Sequence, residues 1–219
     1  MTRPPGPPKQ QRSLETQQRI LAAVSELLQE RQFDQIPVHE IAARAGVSVG
    51  GLYSRFGGKE ELIRWFDEQL LQVHQATILR ALDPLRWEGA TMAAIIRRYV
   101  EIAVEIFAGN APLLREIALR SRGGDHQIRQ RAEAFNETVD GALVTLLLRS
   151  RDQIRAPDPE VAVRLGLIAV TATLREVILF GEHAGRGRAP GGEELIEEMT
   201  RLFVGYLTQL PDDGPEATR

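Results

Sequence analysis

The sequence contains no cysteine, which excludes disulfides, thiolate metal ligands and cysteine-based redox sensing. Histidine is scarce too. His39, His74, His126 and His183 share no ligand spacing, so no metal and no cofactor is expected. His39-Glu40 opens an H-E-x-x-H zinc motif, but Ala43 stands where its second histidine belongs. The longest apolar run, near residue 170, is interrupted by Arg164 and Arg175, too closely spaced for a membrane span. The opening segment, MTRPPGPPKQQR, lacks the apolar centre of a signal peptide. A cytoplasmic location is the expectation. No set of alternating apolar residues suggests a sheet.

Net charge is also small, at −3, which alone argues against a nucleic-acid binder. Its distribution says more. Residues 1–59 hold eight Lys/Arg against five Asp/Glu, or +3, while the remaining nineteen basic and twenty-five acidic residues give −6. A mildly basic front on an acidic body fits one small DNA-contacting domain attached to a larger domain with another task.

What is present centres on residues 38–56, VHEIAARAGVSVGGLYSRF. An apolar helix pattern (Val38, Ile41, Ala42, Ala45) stops at Gly46, a residue able to take the positive φ that helix C-termini favour. Ser48 then offers an oxygen to the free N–H groups of a second, short helix from Val49 to about Arg55. Two helices joined by a tight glycine turn read as a helix-turn-helix, whose second helix enters the major groove. Ile41, Ala45, Val47 and Leu52 are expected to form the small core between them. Tyr53, Ser54 and Arg55 point elsewhere, with chemistry suited to phosphate. Gly46 to Gly50 also spells G-x-S-x-G, the nucleophile elbow of hydrolases, but that elbow needs a strand before the serine. Here the preceding HEIAARA has helical spacing, so no enzyme is expected.

This run resembles the DNA-binding domain of the TetR family, tetracycline-repressor-like regulators whose signature is similar to IA-x-x-AGVS-x-G-x-LY-x-x-F-x-x-KE-x-L. The matching residues are Ile41, Ala42, Ala45, Gly46, Val47, Ser48, Gly50, Leu52, Tyr53, Phe56, Lys59, Glu60 and Leu62, with Arg19, Ile20, Leu21 and Phe33 upstream. The likeness covers about the first 65 residues; beyond them only helix number and length fit. It implies an all-α protein with an N-terminal three-helix head and a C-terminal helical domain for effector binding and dimerisation. The expected divisions are a disordered arm at 1–12, the helix-turn-helix domain at 13–58, a connecting helix at 59–82, the effector and dimerisation domain at 83–210, and a disordered tail at 211–219.

Helical spacing predicts the rest of the chain. Ser13 is a candidate N-cap for a helix running to about Arg31, and Arg3, Lys9 and Arg12 in the extended arm before it are candidates for lying along DNA. A helix from Lys59 to about Leu82 ends at Asp83-Pro84. The body segments run from about Gly89 to Ala108, Pro112 to Ser121, past Gly124 to about Ser150, Pro159 to about His183, and Glu193 to Leu210. The Pro159 helix is apolar nearly all round and so must be covered on more than one side. Paired with the Glu193 helix and their symmetry mates, it makes a four-helix dimer interface. In TetR-like proteins the last two helices dimerise, which is the same arrangement.

The candidate DNA-contacting residues are His39, Arg44, Ser48, Val49, Gly50, Gly51, Tyr53, Ser54, Arg55 and Lys59. Tyr53, Arg55 and Lys59 are read as phosphate contacts. Gly50 and Gly51 weaken their helix by about 1 kcal/mol each, and permit close backbone approach to a duplex. Few side chains then remain to read bases: Val49 for a thymine methyl, and His39 and Arg44 on the first helix. His39 matches a family position that often holds a base-reading residue. One departure is Ile36-Pro37-Val38, which stands where family members commonly carry a capping, phosphate-touching hydroxyl. For the effector pocket, Tyr99, Phe107, Asn136 and Thr171 are the candidates, with a small apolar or aromatic ligand. The expected function is a dimeric repressor of a near-palindromic DNA operator, released by that ligand. The alternative is a DNA-binding dimer governed by a protein partner.

Overall fold

The computed structural model of the chain describes residues 9–181 and 190–209. Arg3, His183, most of the loop 184–192 and the tail 211–219 therefore lie outside the described residues, and with them the expectations that fell there. Every regular element among the described residues is helical. Contacts divide the chain into two compact units, residues 1–71 with 110–131 and residues 72–109 with 132–219. The divisions fall inside α4 (Lys59–Ala81) and α7 (His126–Leu147).

In the first unit, α1 spans Lys9–Glu30. It starts before Ser13, the N-cap expected from sequence, because Lys9-Gln10-Gln11-Arg12 are all good helix formers that extend the helix backwards. Its apolar face (Ile20, Val24, Leu27) is fully buried. Phe33 and Ile36, in and after a short 3-10 turn (Phe33–Gln35), are buried against it. Next come α2 (Val38–Ala45) and α3 (Val49–Phe56). The same core takes Leu62, Ile63 and Phe66 from α4, Leu113 and Ile117 from α6 (Ala111–Arg122), and Ile128 from α7. Trp65 stacks at a tilt on Phe56 and Phe66, with ring centres 5.2 and 5.1 Å apart.

In the second unit, α5 (Met92–Gly109) buries Ile95, Ile96, Tyr99 and Ile102, and its outer Arg97 pairs with Glu101 at 3.0 Å. Trp87 donates its indole N–H to the Ala81 carbonyl, 2.7 Å away, at the end of α4. The helix α7 gives way at Leu147 to a 3-10 segment (Leu148–Gln153) with Ser150 in a non-helical conformation, a little before the end expected from sequence. α8 (Pro159–Arg175) passes into a wide five-residue turn, Glu176–Phe180, that Gly181 closes at φ 63°. α9 covers Gly192–Thr208.

The nearly all-apolar α8 has two faces. Val163, Leu167, Val170 and Leu174 are buried in the core, while Val161, Leu165 and Ile168 are between 51% and 61% exposed. α9 divides likewise: Leu195, Met199, Phe203 and Leu207 face inward, whereas Leu202 and Tyr206 are exposed. Between the inward faces the helices approach closely. A methyl group added to Gly166 would stand 2.1 Å from Cε2 of the fully buried Phe203.

Candidate nucleic-acid interface

The turn between α2 and α3 follows from two residues. Gly46 sits at φ 64°, ψ 38°, a left-handed conformation that costs other residues about 1–2 kcal/mol. It lets the Val47 N–H reach back to the Ala42 carbonyl at 2.9 Å, and the Gly46 N–H to Ala43 at 3.1 Å. Those bonds satisfy the last carbonyls of α2. Two residues on, Ser48 caps α3: its hydroxyl oxygen accepts the Gly51 N–H at 3.0 Å. At the start of α2 the cap position is Pro37, with no side-chain bond; its carbonyl alone accepts from Glu40 at 3.0 Å. Ile41, Ala45 and Leu52 are buried and Val47 packs beside them, so the crossing of α2 and α3 is set by the expected core. The G-x-S-x-G letters thus lie between two helices, without the strand a nucleophile elbow requires.

α1 braces this pair. Arg19 donates to the Gly46 carbonyl at 3.4 Å, across the turn itself. Arg31 pairs with Glu40, and that hydrogen bond is the first cause holding the Glu40 carboxyl below its ordinary range. Arg44, a base-reading candidate, is exposed and pairs with Glu26 of α1 at 3.0 Å. Arg55, a phosphate candidate, is exposed and donates to the carbonyl and hydroxyl oxygens of Ser13 at 3.3 and 3.2 Å. Both arginines therefore help to fix the reading pair on α1 from positions open to solvent.

The remaining candidates form the outer surface of α2 and α3. His39, Val49, Gly50, Gly51, Tyr53 and Ser54 are exposed, Tyr53 at 46%. Ser54 donates to the Gly51 carbonyl at 3.1 Å. A Cβ at Gly50 would meet nothing within 4 Å. Lys59 is different: it is half-buried, with its ammonium 4.8 Å from the centre of the Phe33 ring. Burial there is the first cause lowering its pKa below the ordinary lysine value. The residues that spacing alone could not supply are Arg19, Glu26 and Ser13, which tie the pair to α1 over long stretches of chain.

In the second unit, two of the four effector candidates meet. Tyr99 on α5 is buried, and its hydroxyl lies 3.2 Å from that of Thr171 on α8. Burial pushes the Tyr99 phenol up to about 12, so it stays neutral and able to donate. Phe107 packs, partly buried, against the same core. Asn136 does not join them; it is exposed on α7. One turn further on, the charge of Asp140 acts on the Tyr99 phenol, and burial raises the Asp140 pKa while Arg164 opposes the rise. Both lie at i,i+4 on α7, and the sequence holds no signal to choose between them.

A glycine-turned helical pair, capped by serine and presenting an exposed second helix, defines a helix-turn-helix DNA-binding protein. Residues 20–64, the stretch that holds the helix-turn-helix, match the family described as "Bacterial regulatory proteins, tetR family". Its fold is similar to that of the TetR family regulator PfmR from Thermus thermophilus, with 24% identity, 88% of this chain and 99% of that one covered, and a TM-score of 0.64. It is also similar to FadR from Bacillus subtilis in complex with stearoyl-CoA, at 19% identity, 87% and 98% coverage, and a TM-score of 0.66. A third likeness is FadR from Thermus thermophilus in complex with lauroyl-CoA, at 22% identity, 91% and 98% coverage, and a TM-score of 0.53. No curated protein matches the chain. No helix among the described residues is long and apolar enough to cross a membrane.

Proposed function

We propose that the chain is a dimeric repressor that binds a near-palindromic DNA operator and is released by a small apolar or aromatic effector. The observation that carries the dimer is the exposed outer face of α8 and α9, where Val161, Leu165, Ile168, Leu202 and Tyr206 stand in solvent in the single chain. A second copy supplies the apolar cover such a face needs. Two heads then present two α3 helices to successive turns of one groove. Tyr53 and Arg55 contact phosphate from the exposed side of α3, with His39, Arg44 and Val49 nearest the bases. The double variant Tyr53→Phe, Arg55→Ala is expected to weaken binding to every duplex and to reduce the slope of log K against log salt by about 1, as loss of one charged phosphate contact requires. Fluorescence anisotropy across a salt series measures this, and an unchanged slope removes Arg55 from the contacts.

For the effector, the support is an apolar core that holds the Tyr99–Thr171 pair as a polar point, with the charge of Asp140 acting on the phenol. Two structures of similar fold hold acyl-CoA ligands, larger molecules whose apolar chain ends on a charged carrier, so long-chain acyl-CoA is tried alongside the small apolar and aromatic compounds. A ligand held by the folded state at 100 times its Kd stabilises it by about 2.7 kcal/mol. Thermal denaturation with stearoyl-CoA and with aromatic acids is expected to show a rise in Tm for one of them. No rise across such a panel favours the alternative, a DNA-binding dimer controlled by a protein partner. No enzymatic role is proposed.

A further inference from the structure

We propose that Arg120, on α6 and outside the helix-turn-helix, is a positioning residue for DNA binding: by holding Asp34, Glu60 and Glu116 it keeps these carboxylates from capturing Lys59. The inference rests on the DNA-binding reading above and concerns residues of the first unit alone.

Arg120 is bound on every side. Its Nη2 donates to Asp34 at 2.5 Å, Nη1 donates to Glu60, and Nε donates to Glu116 at 3.0 Å. These partners come from three places: the turn before α2, the first turn of α4, and α6 itself. The side chain spans an open groove of about 490 Å³ and is only 16% exposed. Its guanidinium carbon also lies 5.4 Å from the centre of the Phe33 ring, the same ring on which Lys59 rests. Two cations therefore share one buried aromatic ring, with three carboxylates around them.

Lys59 feels each of those carboxylates. Asp34, Glu60 and Glu116 all act on its charge, and Arg120 acts against them. Arg120 is the better partner for several carboxylates at once, because its planar fork offers five donors in fixed directions. While it holds them, the Lys59 ammonium lies over the Phe33 ring, in no ion pair with a carboxylate among the described residues, and is available, at the start of α4, to a phosphate. Without Arg120, three unpaired carboxylates surround Lys59, and the ammonium becomes their counter-ion. The head then loses one phosphate contact.

Anisotropy titrations of a labelled mixed-sequence duplex of about 30 base pairs, at salt from about 50 to 200 mM, test this on the full chain. Arg120→Ala is expected to bind roughly tenfold more weakly at low salt and to lower the salt slope by about 1. Adding Asp34→Asn and Glu60→Gln to Arg120→Ala is expected to recover much of both affinity and slope, since two of the three captors are gone. A purely structural role predicts no such recovery. Arg120→Ala with the wild-type slope overturns the proposal, as does a triple variant no better than the single one. Should Arg120→Ala not fold, Lys59→Ala decides: it leaves the Arg120 pairs in place and must itself lower the slope by about 1. A wild-type slope in that variant overturns the proposal. Wild-type protein that does not bind the duplex at all overturns the DNA reading, and this inference with it.

Discussion

Ile168→Glu is expected to turn the proposed dimer into a monomer and to weaken binding to a duplex selected by the wild-type protein by roughly a hundredfold or more, because joined heads gain avidity that single heads lack. Ile168 is 61% exposed on α8, with Leu165 and Val161 along the same face. In a lone subunit the new carboxylate meets water, so the fold itself carries no penalty. In the proposed dimer it would be buried against the apolar face of the second copy, a position charged groups avoid at a cost of several kcal/mol. Sedimentation velocity reads the change in mass directly, and far-UV circular dichroism checks that the helices persist. A variant that stays dimeric places the interface on another surface. A monomer that keeps full affinity separates dimerisation from DNA binding.

Gly166→Leu acts on the opposite face of the same helix and has the opposite signature. Here the expected result is loss of folding stability of about 3 kcal/mol, the upper part of the usual range for overpacking a core. For a chain of this length that lowers Tm by about 6–12 °C. A Cβ at this position stands 2.5 Å from Phe203 Cδ2 and 3.0 Å from Cζ as well as against Cε2, and the ring has no exposed surface into which to swing. Replacing a helical glycine otherwise favours the helix by about 1 kcal/mol, so the sign of the result identifies the cause. Adding Phe203→Ala is expected to recover part of the loss by vacating the space. Thermal denaturation of the single and double variants measures both effects. A single variant as stable as the wild type would show that α8 and α9 leave more room between them than these distances allow.

What could be read from the sequence was local. Gly46 and Ser48 mark the helix-turn-helix because a left-handed turn and a cap are made by single residues within a few positions of their partners. Apolar spacing likewise marks α5 and α9 as helices, within a few residues of their ends. The spacing was less informative for how α9 divides: Leu202 and Tyr206 belong to the same apolar stripe as Phe203, and only the packing of α5 and α8 separates outer from inner. Ser13 was read as a helix start, yet polar helix formers before it carry α1 back to Lys9. The Arg120 network was invisible, since its partners Asp34 and Glu60 lie 86 and 60 positions away and charge alone names no partner. The same holds for Arg55 and Ser13, 42 positions apart. Among the effector candidates, Asn136 is exposed on α7, and nothing in its local pattern sets it apart from Asp140 one turn on, whose charge acts on Tyr99.

The bare first turn of α3 bears on how selectivity would arise. A methyl at Gly50 would touch no other part of the chain, so internal packing leaves that position open to larger residues. In the proposed complex, two adjacent residues without side chains give the groove floor little to grip by hydrogen bonding. Discrimination among sites would then lean on the width and pliancy of the duplex, which vary with base steps that the protein never touches. An operator of this kind tolerates many single-base changes but responds sharply to the stiffness of its centre.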